Sequence, residues 1–132
     1  MNLNNFTIKA ADVIQQSQQV AYNNQNSNIE TEHILKAMLD QEDSPVEYLL
    51  KKNGVNVQQL ESRLDAQIAR LPKISGTEPA QAISRDANNA VLKANASLKG
   101  FGDEFVTPEH LLLGLLQGAD NTAGLLKDAG VT

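Results

Sequence analysis

The chain carries one pattern twice. Glu32-His33-Ile34-Leu35-Lys36-Ala37-Met38-Leu39 returns 77 residues later as Glu109-His110-Leu111-Leu112-Leu113-Gly114-Leu115-Leu116. The same offset holds upstream, where Phe6, Ala10, Val13, Ile14, Ser17 and Ala21 fall on Ile83, Ala87, Ala90, Val91, Ala94 and Leu98. Downstream it becomes 76, and Leu49-Leu50-Lys51 and Gly54-Val55 match Leu125-Leu126-Lys127 and Gly130-Val131. A duplication of this extent constrains the fold before any single motif does, because both copies must bury the same stripe. Within the stripe the steps are 4, 3, 1, 3 and 4 residues. A 3.6-residue period puts such steps on one helix face, whereas a strand would scatter them over both. The expected fold is therefore all-α and built of tandem repeats: repeat one over 6–71, a connector over 72–82 and repeat two over 83–132.

The spacing predicts a long helix over 6–23 and its twin over 83–99. Thr7 and Ser84 hold equivalent positions near the two helix starts, where a hydroxyl accepts from an otherwise unpaired backbone N–H. A second helix begins at each Glu-His segment. In the later copy Thr107 precedes Pro108, a cap followed by the helical position that best tolerates proline, and Glu109 suits the positive end of the helix dipole. Ser44-Pro45-Val46-Glu47 reads as a complete capping box opening a third helix, which Asn53-Gly54 ends. Val57, Leu60, Leu64, Ile68 and Leu71 mark a fourth helix. From Leu71 to Pro79 two prolines and a glycine punctuate the chain, as expected of a hinge between repeats. The second copy stops at Gly130-Val131-Thr132, where the first enters its fourth helix, so repeat two is expected to be truncated and the chain to be cut from something longer.

At 132 residues one core and one domain are expected. Without cysteine there is neither a disulfide nor a thiolate metal site. The start lacks the pattern of a leader, and no run approaches the ~18 apolar residues of a membrane span, so a soluble cytoplasmic protein is expected, away from membranes. Net charge is −5, with no basic cluster to meet phosphates, and five scattered Phe and Tyr rings make no base-stacking platform; nucleic acid is not an expected partner.

His33 and His110 each follow a glutamate, but neighbours on a helix do not face each other, and Glu-His is not the His-Glu-x-x-His of zinc proteases. Both histidines are expected to pack or hydrogen-bond at helix starts. Gly100-Phe101-Gly102-Asp103 lacks the length and the lysine of a phosphate-binding loop and reads as a helix-ending turn. No nucleophile constellation or metal set supports a standalone hydrolase, so neither catalytic residues nor a metal are expected. Sharper information comes from positions apolar in one copy and polar in its mate: Phe101 against Asn24, Phe105 against Asn28, Leu92 against Gln15 and Leu113 against Lys36. One reading is an apolar groove on repeat two that receives a partner chain, with Leu92, Phe101 and Leu113 as its candidates. The other is asymmetric packing of the two copies that buries these side chains, with Phe105 expected in the core.

The [ST]-x-Glu-His-[IL]-Leu helix start, complete at Thr107 and repeated in the first copy with Glu30 in place of the hydroxyl residue, the Leu-Leu-Lys-x-x-Gly-Val ending and the connector Leu71-Pro72-Lys73-Ile74-Ser75-Gly76 together resemble the N-terminal domain of the Clp ATPases. The resemblance covers essentially the whole chain, and the connector looks most like that of the ClpB disaggregases. It implies two four-helix repeats with pseudo-two-fold symmetry, tethered to an AAA+ hexamer that threads unfolded or aggregated polypeptides. It further implies that ATP and magnesium, and cooperation with the DnaK chaperone system, belong to the parent, with no cofactor in this domain. Thr7, Asp103 and Glu109 match polar positions that the family associates with substrate handling, and the first and last also fit as helix-start residues. The resemblance leaves open a ClpC-like alternative, a regulatory domain of a protease-coupled unfoldase, in which Glu32 and Glu109 would receive phosphoarginine or an adaptor.

Overall fold

The repeated pattern folds as helices that start at matching places. In the computed structural model, which describes residues 3–74, 82–98 and 105–131, α1 spans Ile8–Asn23, α2 Thr31–Asp40, α3 Pro45–Lys52 and α4 Val57–Arg70. In the second half α5 spans Arg85–Ala96, α6 Pro108–Leu116 and α7 Asn121–Asp128. The starts of α5 and α6 stand 77 residues after those of α1 and α2, and that of α7 76 after that of α3. The fold is all-α; among the described residues the strands are a two-residue parallel pair, β1 (Asn28–Ile29) and β2 (Ala82–Ile83).

Most caps are those the sequence predicts. Thr7 Oγ1 accepts from the Ala10 N–H at 3.1 Å and Ser84 Oγ from the Ala87 N–H at 3.1 Å. Pro108 opens α6 behind the Thr107 cap. Gly54 and Gly130 follow α3 and α7 with φ of +81° and +95°, the left-handed turn that a side chain would strain. One expectation is half met. Ser44 Oγ accepts from the Glu47 N–H at 3.0 Å, but the Glu47 carboxylate turns away from the cap to pair with Lys51 at 2.8 Å, one turn along α3. The capping box is therefore open on one side, because the i,i+4 lysine competes for the same carboxylate.

The stripe that defines the repeat becomes the core. Ala10, Val13, Ala21, Ala87, Val91 and Ala94 are all buried, with small side chains that let α1 lie against α2 and α5 against α6. At the second crossing Gly114 meets Ala90 so closely that a Cβ there would fall 2.2 Å from the Ala90 carbonyl oxygen. α4 lies across α2, α3 and α7 and presents Val57, Leu60, Leu64 and Ile68 to them.

The two halves interlock at the residues that precede their helices. Phe6 bridges to Val106, and the Thr7 N–H donates to the Val106 carbonyl at 2.9 Å. At the equivalent place Ile83 pairs with Ile29, and the Ser84 N–H donates to the Ile29 carbonyl at 2.9 Å. Each half thus fastens the start of its first helix to the entrance of the other half's second helix. Phe105, expected in the core, is 52 % exposed. Its neighbour Val106 makes the bridge and is fully buried, and adjacent residues of an extended segment face opposite ways. The expected hinge is also anchored where it is described: Lys73 bridges to Asn26, and the Ile74 N–H donates to the Gln25 carbonyl at 2.8 Å.

Candidate functional site

Both histidines complete helix starts. The Glu30 N–H donates to His33 Nδ1 at 2.8 Å and the Thr107 N–H to His110 Nδ1 at 2.9 Å, so each imidazole closes a capping box in the place a glutamate or glutamine usually takes. An Nδ1 that accepts fixes the proton of a neutral ring on Nε2, and His33 Nε2 donates to Asn26 Oδ1 at 2.7 Å. Asn26 in turn donates to the Pro72 carbonyl at 3.1 Å. Burial holds the His33 pKa down to about 4. Glu32, beside it, is only 7 % exposed; burial pushes its carboxyl above the usual range, and Thr31 Oγ1 lies 3.2 Å away. Among the described residues, no group of three or more His, Asp and Glu side chains is arranged to hold a metal ion.

Among the described residues, Glu109 and Leu113 meet in a groove of about 370 Å³. One wall is α3, through Leu49, Leu50 and Asn53; the other is α6, through Leu112, Leu113 and Leu116. Val55 and Val131, which follow α3 and α7, line it as well, and Glu109 borders it, exposed in the first turn of α6. Glu109 also borders a shallower neighbouring depression with Tyr48, 66 % exposed, and Leu49. The amphipathic period of α6 accounts for this arrangement. Leu111 and Leu115 turn inward and are buried, while Leu113 and Leu116 lie at the edge and remain half-exposed.

The residues singled out in the sequence sort as follows. Glu109 and Leu113 come together in the groove. Thr7 caps α1 and is carried by the Phe6–Val106 bridge to the segment that leads into α6. Leu92 is 56 % exposed on α5 and forms a separate apolar spot. Phe101 and Asp103 lie outside the described residues. Glu32 and Glu109 match in sequence but not in setting, one buried and the other exposed. Sequence reasoning did not bring Leu49, Leu116 and Val131 to the same place; the first belongs to α3 of the opposite half, and no local spacing links it to α6.

The profile of the Clp repeat (R) N-terminal domain matches residues 5–129. Among curated relatives, the chaperone protein ClpB of Bacteroides thetaiotaomicron is 39 % identical over 132 residues, all of this chain and 15 % of that protein. The ClpB of Porphyromonas gingivalis is 35 % identical over the same span, again 15 % of its length. The chain thus spans about 15 % of the length of these relatives. Among solved structures, the Hsp104 N-terminal domain from Candida albicans superposes with a TM-score of 0.85 at 22 % identity, covering 98 % of this chain and 84 % of that one. The N-domain of ClpV from Vibrio cholerae gives 0.80 at 16 % identity, covering 98 % and 80 %.

Proposed function

Because the chain belongs to the Clp repeat (R) N-terminal domain family, we propose that it is the substrate-recognition domain of a ClpB-type protein disaggregase. It would bind exposed apolar segments of unfolded or aggregated polypeptides and pass them to the parent's AAA+ hexamer in the cytoplasm. ATP hydrolysis with magnesium, and cooperation with the DnaK system, belong to that parent; the domain itself is a binding module without catalysis. The chain is read as one such domain of two related repeats.

The observation that supports this reading is the groove between α3 and α6, an apolar concavity with half-exposed leucines and a carboxylate at its rim. Apolar surface gathered in one concave place is what a chain-binding site needs. The expected affinity is weak, because a shallow groove must offset the ordering entropy of a disordered chain. A phosphoarginine or adaptor site built on paired glutamates is less well supported by the geometry, since Glu32 is buried where Glu109 is open.

The test is an NMR titration of the labelled domain with an unfolded polypeptide such as casein. Saturable shifts at the amides of Leu49, Leu113, Leu116 and Val131 are expected, and Leu113→Ser should weaken binding about tenfold, the loss of one buried side chain. Leu92→Ser reports whether the spot on α5 contributes as well. Absence of saturable shifts at millimolar polypeptide would sink the reading and direct the search to adaptors or phosphoarginine.

A further inference from the structure

α1 ends in a turn that presents its edge to the chain leaving α4. The Asn26 N–H donates to the Ala21 carbonyl at 2.9 Å and the Gln25 N–H to the Tyr22 carbonyl at 3.0 Å, with Gln25 at φ +59°. These are the paired bonds and the left-handed residue of a Schellman motif, which satisfies the last carbonyls of the helix. The polar groups that follow meet the connector. The Lys73 ammonium donates to the Asn24 carbonyl at 2.9 Å, the Ile74 N–H to the Gln25 carbonyl at 2.8 Å, and the Asn26 side chain to the Pro72 carbonyl at 3.1 Å. Three consecutive residues of the turn thus hold three consecutive residues of the connector.

The two sides are held unequally. Pro72, Lys73 and Ile74 are exposed, so hydrogen bonds rather than buried apolar surface oppose the entropy of ordering them, and a segment held in that way opens at low cost. Asn26, by contrast, is buried beside His33. The Glu30 N–H occupies His33 Nδ1, which leaves the ring proton on Nε2; Asn26 must turn Oδ1 toward it, and its amino group then faces Pro72. A relay of three hydrogen bonds therefore runs from the start of α2 to the connector. Only an amide can stand at its centre, accepting from the ring and donating to the carbonyl at once, because a carboxylate only accepts.

We propose that residues 72–74 form a releasable latch, which docks on the turn 24–26 and leaves it while the helices of the first half and the Ser84–Ile29 bond stay in place. The Asn26 amide, oriented by the neutral His33 ring, is the group that keeps the latch docked. Docked, it holds the outgoing chain beside the entrance of α2; released, it lengthens the free connection between the halves by three residues.

The test is native-state hydrogen exchange of the 132-residue chain, followed by NMR at increasing low concentrations of urea. The Ile74 and Ser84 amides both donate to carbonyls of the segment 25–29, at 2.8 and 2.9 Å. The Ile74 amide is nevertheless expected to exchange at least about a hundredfold faster, and with little dependence on urea. In Asn26→Asp the Lys73 and Ile74 resonances are expected to move at least halfway to random-coil values, while those of α1, α2 and α4 keep theirs. Should that variant unfold, Lys73→Met decides, since it removes one latch bond at the exposed surface. It is expected to speed Ile74 exchange about five- to tenfold, the loss of one hydrogen bond, with Ser84 unchanged. Exchange of Ile74 and Ser84 through one common, urea-dependent opening would overturn the latch, because the segment would then belong to the global unit. A folded Asn26→Asp chain with unmoved Lys73 and Ile74 resonances would overturn the amide as its holder, and an unaltered Ile74 rate in Lys73→Met would overturn the release itself.

Discussion

His33 has no exposed surface, and its two ring nitrogens are both committed, one accepting from the Glu30 N–H and the other donating to Asn26. Protonation would put a second N–H against the Glu30 N–H, so the folded state holds the ring neutral down to about pH 4, while the unfolded chain takes up the proton near 6.5. Between those values the unfolded state binds more protons, and the histidine's contribution to stability falls as the pH is lowered. The full effect is about 3 kcal/mol, complete once the pH is below 4. An NMR titration of the ring carbons should show His33 unchanged between pH 7 and 5, with the urea midpoint falling over the same range. A His33 resonance that titrates near 6.5 in the folded domain would contradict this account. The structural role of both histidines was legible, since the same residue pair recurs at two helix starts. Asn26 as the partner was not, because its hydrogen bond depends on how the turn after α1 returns across α2.

The helix crossings are decided by the smallest side chains. Gly114→Ala would drive a methyl group into the Ala90 backbone and part α5 from α6, at a cost of about 1–3 kcal/mol. Gly124 lies within α7 with nothing inside 4 Å of a would-be Cβ, so Gly124→Ala should stabilise, by up to ~1 kcal/mol of helix propensity. Thermal unfolding of the two variants, shifted in opposite directions, checks both. Equal shifts would mean that the crossing has slack. Helix existence and most caps followed from periodicity and cap chemistry, which act within a few residues. The half-open capping box at Ser44 escaped that reasoning because Glu47 had two local partners, and the spacing alone does not rank them.

The exchange of backbone hydrogen bonds between the halves makes the molecule one folding unit. The Thr7 and Ser84 amides each donate across the halves, to Val106 and to Ile29. Both are expected to exchange with solvent only through global opening, as slowly as the amides of α2 and α6. If they exchange much faster than those helices, the halves open independently and the interlock is not a structural clasp. Cross-half packing also forms the groove, since one wall comes from each half. The sequence by itself determined the helical class, the twofold recurrence and the buried stripe, because periodicity and capping are local and the duplication writes them twice. Tertiary structure alone decided which surface stayed open. Leu49 and Leu113 meet only when two distant helices pack, and Phe105 turns outward only because Val106 is claimed by Phe6.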